Sequence, residues 1–158
     1  MKKKSIILLI VGVILLSGCG NKNLIDPNKL TCERKIPNSF GMAIDRKFEF
    51  YFKEDELTSL KLEVNRNIIE NEAKAAVEDS FIKTEDKYIS NKKSGITLTL
   101  KRNDNGYDEI YNVVLAETNY NEFESATAIP FFVSDFKDKK MTRTETKEFN
   151  EKDDYTCK

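Results

Sequence analysis

Residues 46–53 alternate strictly. Phe48, Phe50 and Phe52 are interleaved with Lys47, Glu49, Tyr51 and Lys53. A period of two places the rings on one side of an extended chain and the charges on the other, as in a half-buried strand. Residues 57–64 repeat the pattern, with Leu60, Leu62 and Val64 on one face and Lys61 and Glu63 on the other. Glu54-Asp55-Glu56 between them forms the turn, so the two stretches read as an antiparallel hairpin. Gly95–Arg102 alternates again, with Ile96, Leu98 and Leu100 against Thr97, Thr99 and Lys101. Asn103-Asp104-Asn105-Gly106 follows, a strong turn signal because Asn and Gly tolerate positive φ. Tyr107–Glu117 then reads as the returning strand. Leu30–Ile36 is a first strand, Pro37–Gly41 a turn, and Asp154–Lys158 a short closing strand.

Strands with a single apolar face need a cover. The spacing predicts a helix opened by Asn67, where Asn67 and Glu70 have capping-box spacing. Ile69, Ala73, Ala76, Val77 and Phe81 form its apolar stripe, and its end is expected near Ile82 or Lys83. Thr84–Ser94 reads as polar, with Tyr88-Ile89 a short edge piece. Asn119–Phe136 is apolar without a clean period, a short helix from Asn119 interrupted by Pro130 being one reading. Thr144–Lys152 is expected to form a short helix. The class is therefore α+β, an antiparallel sheet packed on one face by one long and one or two short helices.

The first eighteen residues follow another logic. Lys2, Lys3 and Lys4 precede an apolar run from Ile6 to Leu16, then Ser17-Gly18-Cys19. A basic head, an apolar stretch shorter than the roughly 20 residues of a membrane span, and small residues at a cut site are the marks of an export signal. Leu16-Ser17-Gly18-Cys19 resembles the lipobox of bacterial lipoproteins. That resemblance implies lipid on the Cys19 thiol and cleavage before it, placing the chain on the extracytoplasmic face of the cell membrane. The expected divisions are a signal at 1–18, a lipidated tether at 19–29 and one domain at 30–158. The ten residues from Gly20 to Lys29 extend to about 35 Å; docking of Leu24 and Ile25 on the domain is the alternative. Loss of the three lysines takes 26 basic residues to 23 against 27 acidic ones, a net charge of −4. No nucleic-acid partner is expected, since nucleic acid requires a basic face. The expected partners are the membrane, through the lipid, and an envelope protein.

With Cys19 committed to lipid, Cys32 and Cys157 remain as an even pair in an exported chain. A bridge between them would pin the C-terminal tail to the first strand and close a loop worth roughly 4–5 kcal/mol in the chain-entropy description. Two free thiols and a two-thiolate metal site are the alternatives. The lipobox, Leu30-Thr31-Cys32 after the tether, the Phe48–Phe52 hairpin with Leu60–Val64, and the terminal Tyr155-Thr156-Cys157-Lys158 together resemble the small lipoproteins of low-GC Gram-positive bacteria, the YehR-like group. The resemblance implies an α+β domain with no known enzymatic role. It supplies no catalytic residues.

The chain has no His, which removes Ser-His-Asp and Cys-His catalysis and the commonest metal ligand. No cofactor and no metal are expected. Ser80-Phe81-Ile82-Lys83 and Ser90-Asn91-Lys92-Lys93 match the S-x-x-K spacing of a Ser nucleophile with a Lys base, but the accompanying S-D-N and K-T-G elements are missing. Placing Gly106 at position 6 of a calcium loop puts Lys101 at position 1 and Asn112 at position 12, so a hairpin turn is the better reading. Glu54-Asp55-Glu56 and the group Glu148, Glu151, Asp153 and Asp154 read as solvated acidic runs. Phe131-Phe132 beside Pro130 reads as core. The functional expectation is a membrane-anchored, non-catalytic ligand-binding or interaction domain. An accessory subunit of an envelope complex is the alternative, and a carboxylate-only hydrolase ranks last.

Overall fold

The computed structural model describes Asp26 and residues 28–118, 120–127 and 141–158. Six strands form one antiparallel sheet: β1 (Lys29–Ser39), β2 (Met42–Lys53), β3 (Glu56–Ile68), β4 (Ile96–Asn103), β5 (Gly106–Val114) and β6 (Thr156–Cys157). Their order across the sheet is β4-β5-β3-β2-β1-β6. The helices are α1 (Lys74–Ser90), entered through a 3-10 turn at Asn71–Ala73, then α2 (Tyr120–Thr127) and α3 (Arg143–Lys152). The fold is α+β, as the alternation predicts. No helix among the described residues is long and apolar enough to cross a membrane. Cys19, the tether through Ile25, Pro130 and Phe131-Phe132 lie outside the described residues.

The turns carry the strain that sharp hairpins require. Phe40 and Gly41 both have positive φ (54° and 80°), as do Glu54 and Asp55 (52° and 64°). Two left-handed residues in succession match the twist of the flanking strands. At the β4–β5 turn, Gly106 pairs with Asn67 of β3, and a Cβ there would lie 1.9 Å from the Arg66 carbonyl oxygen. Only glycine lets the two strands close at that point.

Residues paired across an antiparallel ladder share a face. The first rows of the covered face run Leu30-Phe50-Leu60-Val113-Ile96 and Cys32-Phe48-Leu62-Tyr111-Leu98. Most of these side chains are fully buried, and they form the core with Phe123, Ala126, Met141 and Tyr155. The Phe48 and Phe50 rings stack with centroids 5.1 Å apart, and Tyr155 lies 5.6 Å from Phe48. Cys32 faces Cys157 in the β1–β6 ladder, and the two are joined in a disulfide with an S–S distance of 2.05 Å.

Several boundaries differ from the sequence reading. Asn67 does not open a helix. Its backbone belongs to β3, paired with Ala43 and Gly106, because a continuous ladder outweighs a four-residue capping pattern. Consequently Ile69 stays half exposed and Ala76 is exposed, and the inward side of the helical stretch is Ala73 and Val77 followed by the half-buried Phe81, Thr84 and Tyr88. The helix runs past Ile82 and Lys83 to Ser90. Tyr88-Ile89 is helical rather than an edge piece, and the Tyr88 hydroxyl donates to the Ile96 carbonyl at 3.0 Å. Pro37 lies within β1, where pairing with β2 slips between Ile36 and Ser39. Strand β5 ends at Val114 rather than Glu117. Lys29, assigned to the tether, pairs with Tyr51 as the first residue of β1.

The opposite face of the sheet is charged. Lys29 and Lys47 reach Glu49 at 2.8 and 3.1 Å, and the Tyr51 hydroxyl donates to it at 3.0 Å. Partial burial works to raise the Glu49 pKa, but these three donors outweigh it and hold the carboxyl at about 2.

Candidate functional site

The covered face of the sheet changes character along its strands. After the two apolar rows comes Arg34-Arg46-Val64-Glu109-Leu100, then Ile36-Ile44-Arg66-Tyr107-Arg102. Arg46 is in phase with Phe48, Phe50 and Phe52. Arg66 is in phase with Leu60, Leu62 and Val64, and Glu109 with Tyr107, Tyr111 and Val113. Charged groups thus occupy positions where the alternation calls for core. Charges taken out of water are costly unless they are paired or serve a ligand.

A cleft of about 300 Å³ opens here between the sheet and α1, and Ala126 and Thr127 of α2 also line it. The sheet contributes Arg46, Arg66 and Glu109. Helix α1 contributes Ser80, Lys83, Thr84 and Lys87, with Asp79 at the rim. The i, i+3, i+4 and i+7 spacing from Ser80 to Lys87 sets these four on one side of the helix.

Glu109 is 1% exposed and fully engaged. Arg66 Nε donates to its Oε1 at 2.6 Å, and the Tyr111 hydroxyl donates to its Oε2 at 2.9 Å. Burial works to lower the Arg66 pKa, but the charge and hydrogen bond of Glu109 prevail and raise it. Burial, then the Glu109 charge, pushes the Tyr111 phenol far above its ordinary range. Arg66 lies over the Tyr107 ring, 5.9 Å from its centre, and the Tyr107 hydroxyl shares a 2.8 Å hydrogen bond with Ser80 Oγ. The resulting chain of groups is a rigid wall.

Arg46 stands apart from this network. Among the described residues its Nε, like that of Arg143 on α3, is buried and has no hydrogen-bond partner; of the two, Arg46 lines this cleft. Its neighbour across the β1–β2 ladder is another cation, Arg34, which reaches Asp154 at 3.8 Å and lies over the Tyr155 ring. Lys87 also makes no ion pair among the described residues. Lys83 pairs with Asp79 at 2.6 Å, both largely exposed, which is a weak attachment. Among the described lining residues Arg46, Arg66, Lys83 and Lys87 face Asp79 and Glu109, an excess of two positive charges in a chain whose net charge is −1.

Ser80 and Lys83 of the first S-x-x-K stretch both line this cleft but take separate partners, Tyr107 and Asp79. Ser90 of the second donates to the Lys87 carbonyl at the end of α1. Asn103–Gly106 is the hairpin turn between β4 and β5. In the acidic runs, Asp55 Oδ1 accepts from the Arg143 amide at 3.1 Å, and Glu151 pairs with Lys147 at 3.7 Å.

A second hollow, of about 280 Å³, lies over β1, β2 and β3. It is lined by Arg34, Lys35, Arg46 and Lys47 against Glu33, Asp45 and Glu63, so its charges nearly balance, and Arg46 borders both hollows.

Motif spacing did not reveal the basic cleft. The available signal was phase: Arg46, Arg66 and Glu109 each break an apolar register. Comparisons with protein-family models, with curated proteins and with solved structures found no match.

Proposed function

We propose that this chain is a lipid-anchored, extracytoplasmic, non-catalytic binding domain, and that the cleft between the sheet and α1 is its binding site. One observation carries the reading: the Arg46 guanidinium has no partner on its buried Nε among the described residues and lies beside Glu109, whose two carboxylate oxygens are taken by Arg66 and Tyr111. A group kept for folding alone would be expected to be paired. The anchor rests on Leu16-Ser17-Gly18-Cys19, and the tether sets the domain within reach of solutes and envelope components close to the membrane.

The test is recovery of the full-length protein from its own cross-linked membranes, read by mass spectrometry together with the mass of the N-terminal peptide. The expected result is a diacylated Cys19 peptide and a protein recovered without a stoichiometric protein partner. An unlipidated N-terminus would overturn the anchor. Recovery of one membrane complex in high yield would replace the binding reading with that of an accessory subunit.

A further inference from the structure

Building on that reading, we infer that the cleft takes a phosphate-type anion, a phosphate ester of small size. Three features define this class.

The first is charge. The excess of two positive charges matches a phosphate monoester, which carries close to two negative charges at neutral pH. A carboxylate would neutralise only one.

The second is donor geometry. Arg46 enters from β2 and Arg66 from β3, while Lys83 and Lys87 approach from α1 across the cleft. Arg66 uses Nε for Glu109, and that is its one described hydrogen bond. Arg46 Nε is unpartnered. Thr84 adds a hydroxyl from α1. Cations arriving from two sides, with guanidinium forks on one and ammonium point charges on the other, suit a tetrahedral group with three terminal oxygens better than a planar one.

The third is size. At about 300 Å³ the cleft is at the small end of ligand sites. It fits a phosphorylated three-carbon or sugar unit, not a dinucleotide. The same chemistry is offered by a soluble phosphate ester and by the headgroup of an anionic phospholipid.

The experiment is calorimetric titration of the full-length chain in neutral-detergent micelles. The probes are inorganic phosphate, glycerol 3-phosphate, short-chain phosphatidylglycerol, and acetate as the planar monoanion. The expected result is saturable binding of a phosphate probe with a dissociation constant of about 1 mM or tighter, weakening as salt is added, and little heat with acetate. Preference for glycerol 3-phosphate would identify a soluble ligand; preference for the short-chain lipid would identify a headgroup. Arg46→Gln is expected to weaken binding about tenfold or more while leaving the melting temperature within about 2 °C. Lys101→Gln, on the other face of the sheet, is expected to bind as the parent does. Absence of saturable phosphate binding, or equal binding by the Arg46→Gln protein, would overturn the inference. Native mass spectrometry of the same preparation separates the two levels. A co-purifying molecule without phosphate that is lost in Arg46→Gln would sink the phosphate class and leave the binding site standing. No bound mass together with no heat would sink both.

Discussion

Two charged residues of the covered face behave in opposite ways, and the contrast defines what each is for. Glu109 is buried and holds Arg66 and Tyr111 at the same time. Glu109→Gln keeps the shape but strands the Arg66 charge, so a loss of about 2–4 kcal/mol is expected in urea unfolding. A loss below about 0.5 kcal/mol, the range of neutral surface changes, would mean that the pair contributes nothing to the wall. Arg46 has no such obligations. Glu49, on the solvent side, contributes differently again. Its folded pKa of about 2 lies below the ordinary value of 4.5. A depressed carboxyl stabilises the fold at pH values above its unfolded pKa, and that contribution fades as pH falls from about 4.5 toward 2. After discounting for solvent screening it is on the order of 1–2 kcal/mol. Urea midpoints measured across that window in the parent and in Glu49→Gln are expected to converge at the acid end. A constant gap between them would contradict the assignment.

At the scale of elements, β2, β3 and β4 were legible from period-two alternation, and the β2–β3 and β4–β5 hairpins from the short turns within them; the β3–β5 ladder joins strands separated by α1 and β4, and no turn announces it. Helix α3 was legible too. Its capping box lies at Thr142, two residues before the expected start, with Thr142 Oγ1 accepting from the Glu145 amide at 3.2 Å and the Glu145 carboxylate accepting from the Thr142 amide at 3.0 Å. Thr142→Ala is expected to cost about 1 kcal/mol, measurable as a fall in the urea midpoint at unchanged slope. The two ends of helix α1 are hidden from the sequence for two different physical reasons. Most of its surface is solvated, so its polar second half looked like loop, and a chance capping pattern at Asn67 competed with strand pairing that becomes visible only once Gly106 of β5 lies against it. The cleft was invisible for a related reason. Alternation shows which way Arg46, Arg66 and Glu109 point, but their convergence with Lys83 and Lys87 depends on where α1 crosses the sheet.

For the molecule as a whole, the ends of the described domain are tied together. The Cys32–Cys157 bridge spans 125 residues, and the Thr31 and Lys158 backbones exchange hydrogen bonds of 3.0 and 2.9 Å beside it. Reduction is expected to cost about 2–5 kcal/mol, seen as a lower denaturant midpoint in dithiothreitol. Free thiols at Cys32 and Cys157 in denatured, unreduced protein would contradict the pairing. The tie keeps β1, and with it the Arg34–Arg46 ladder position, at the margin of the cleft. The proposed reading divides the covered face: the apolar rows and the Glu109 contacts serve the fold, and Arg46 is kept for a ligand. Melting curves of the full-length chain and of Arg46→Gln, each with and without saturating phosphate, test that division in one measurement. The two proteins are expected to melt together without phosphate; with it the parent is expected to rise by several degrees and Arg46→Gln by clearly less, since a tenfold weaker site forfeits about 1.4 kcal/mol of linkage stabilisation. An Arg46→Gln protein that melts far below the parent without phosphate, or a parent indifferent to phosphate, would show instead that Arg46 serves the fold.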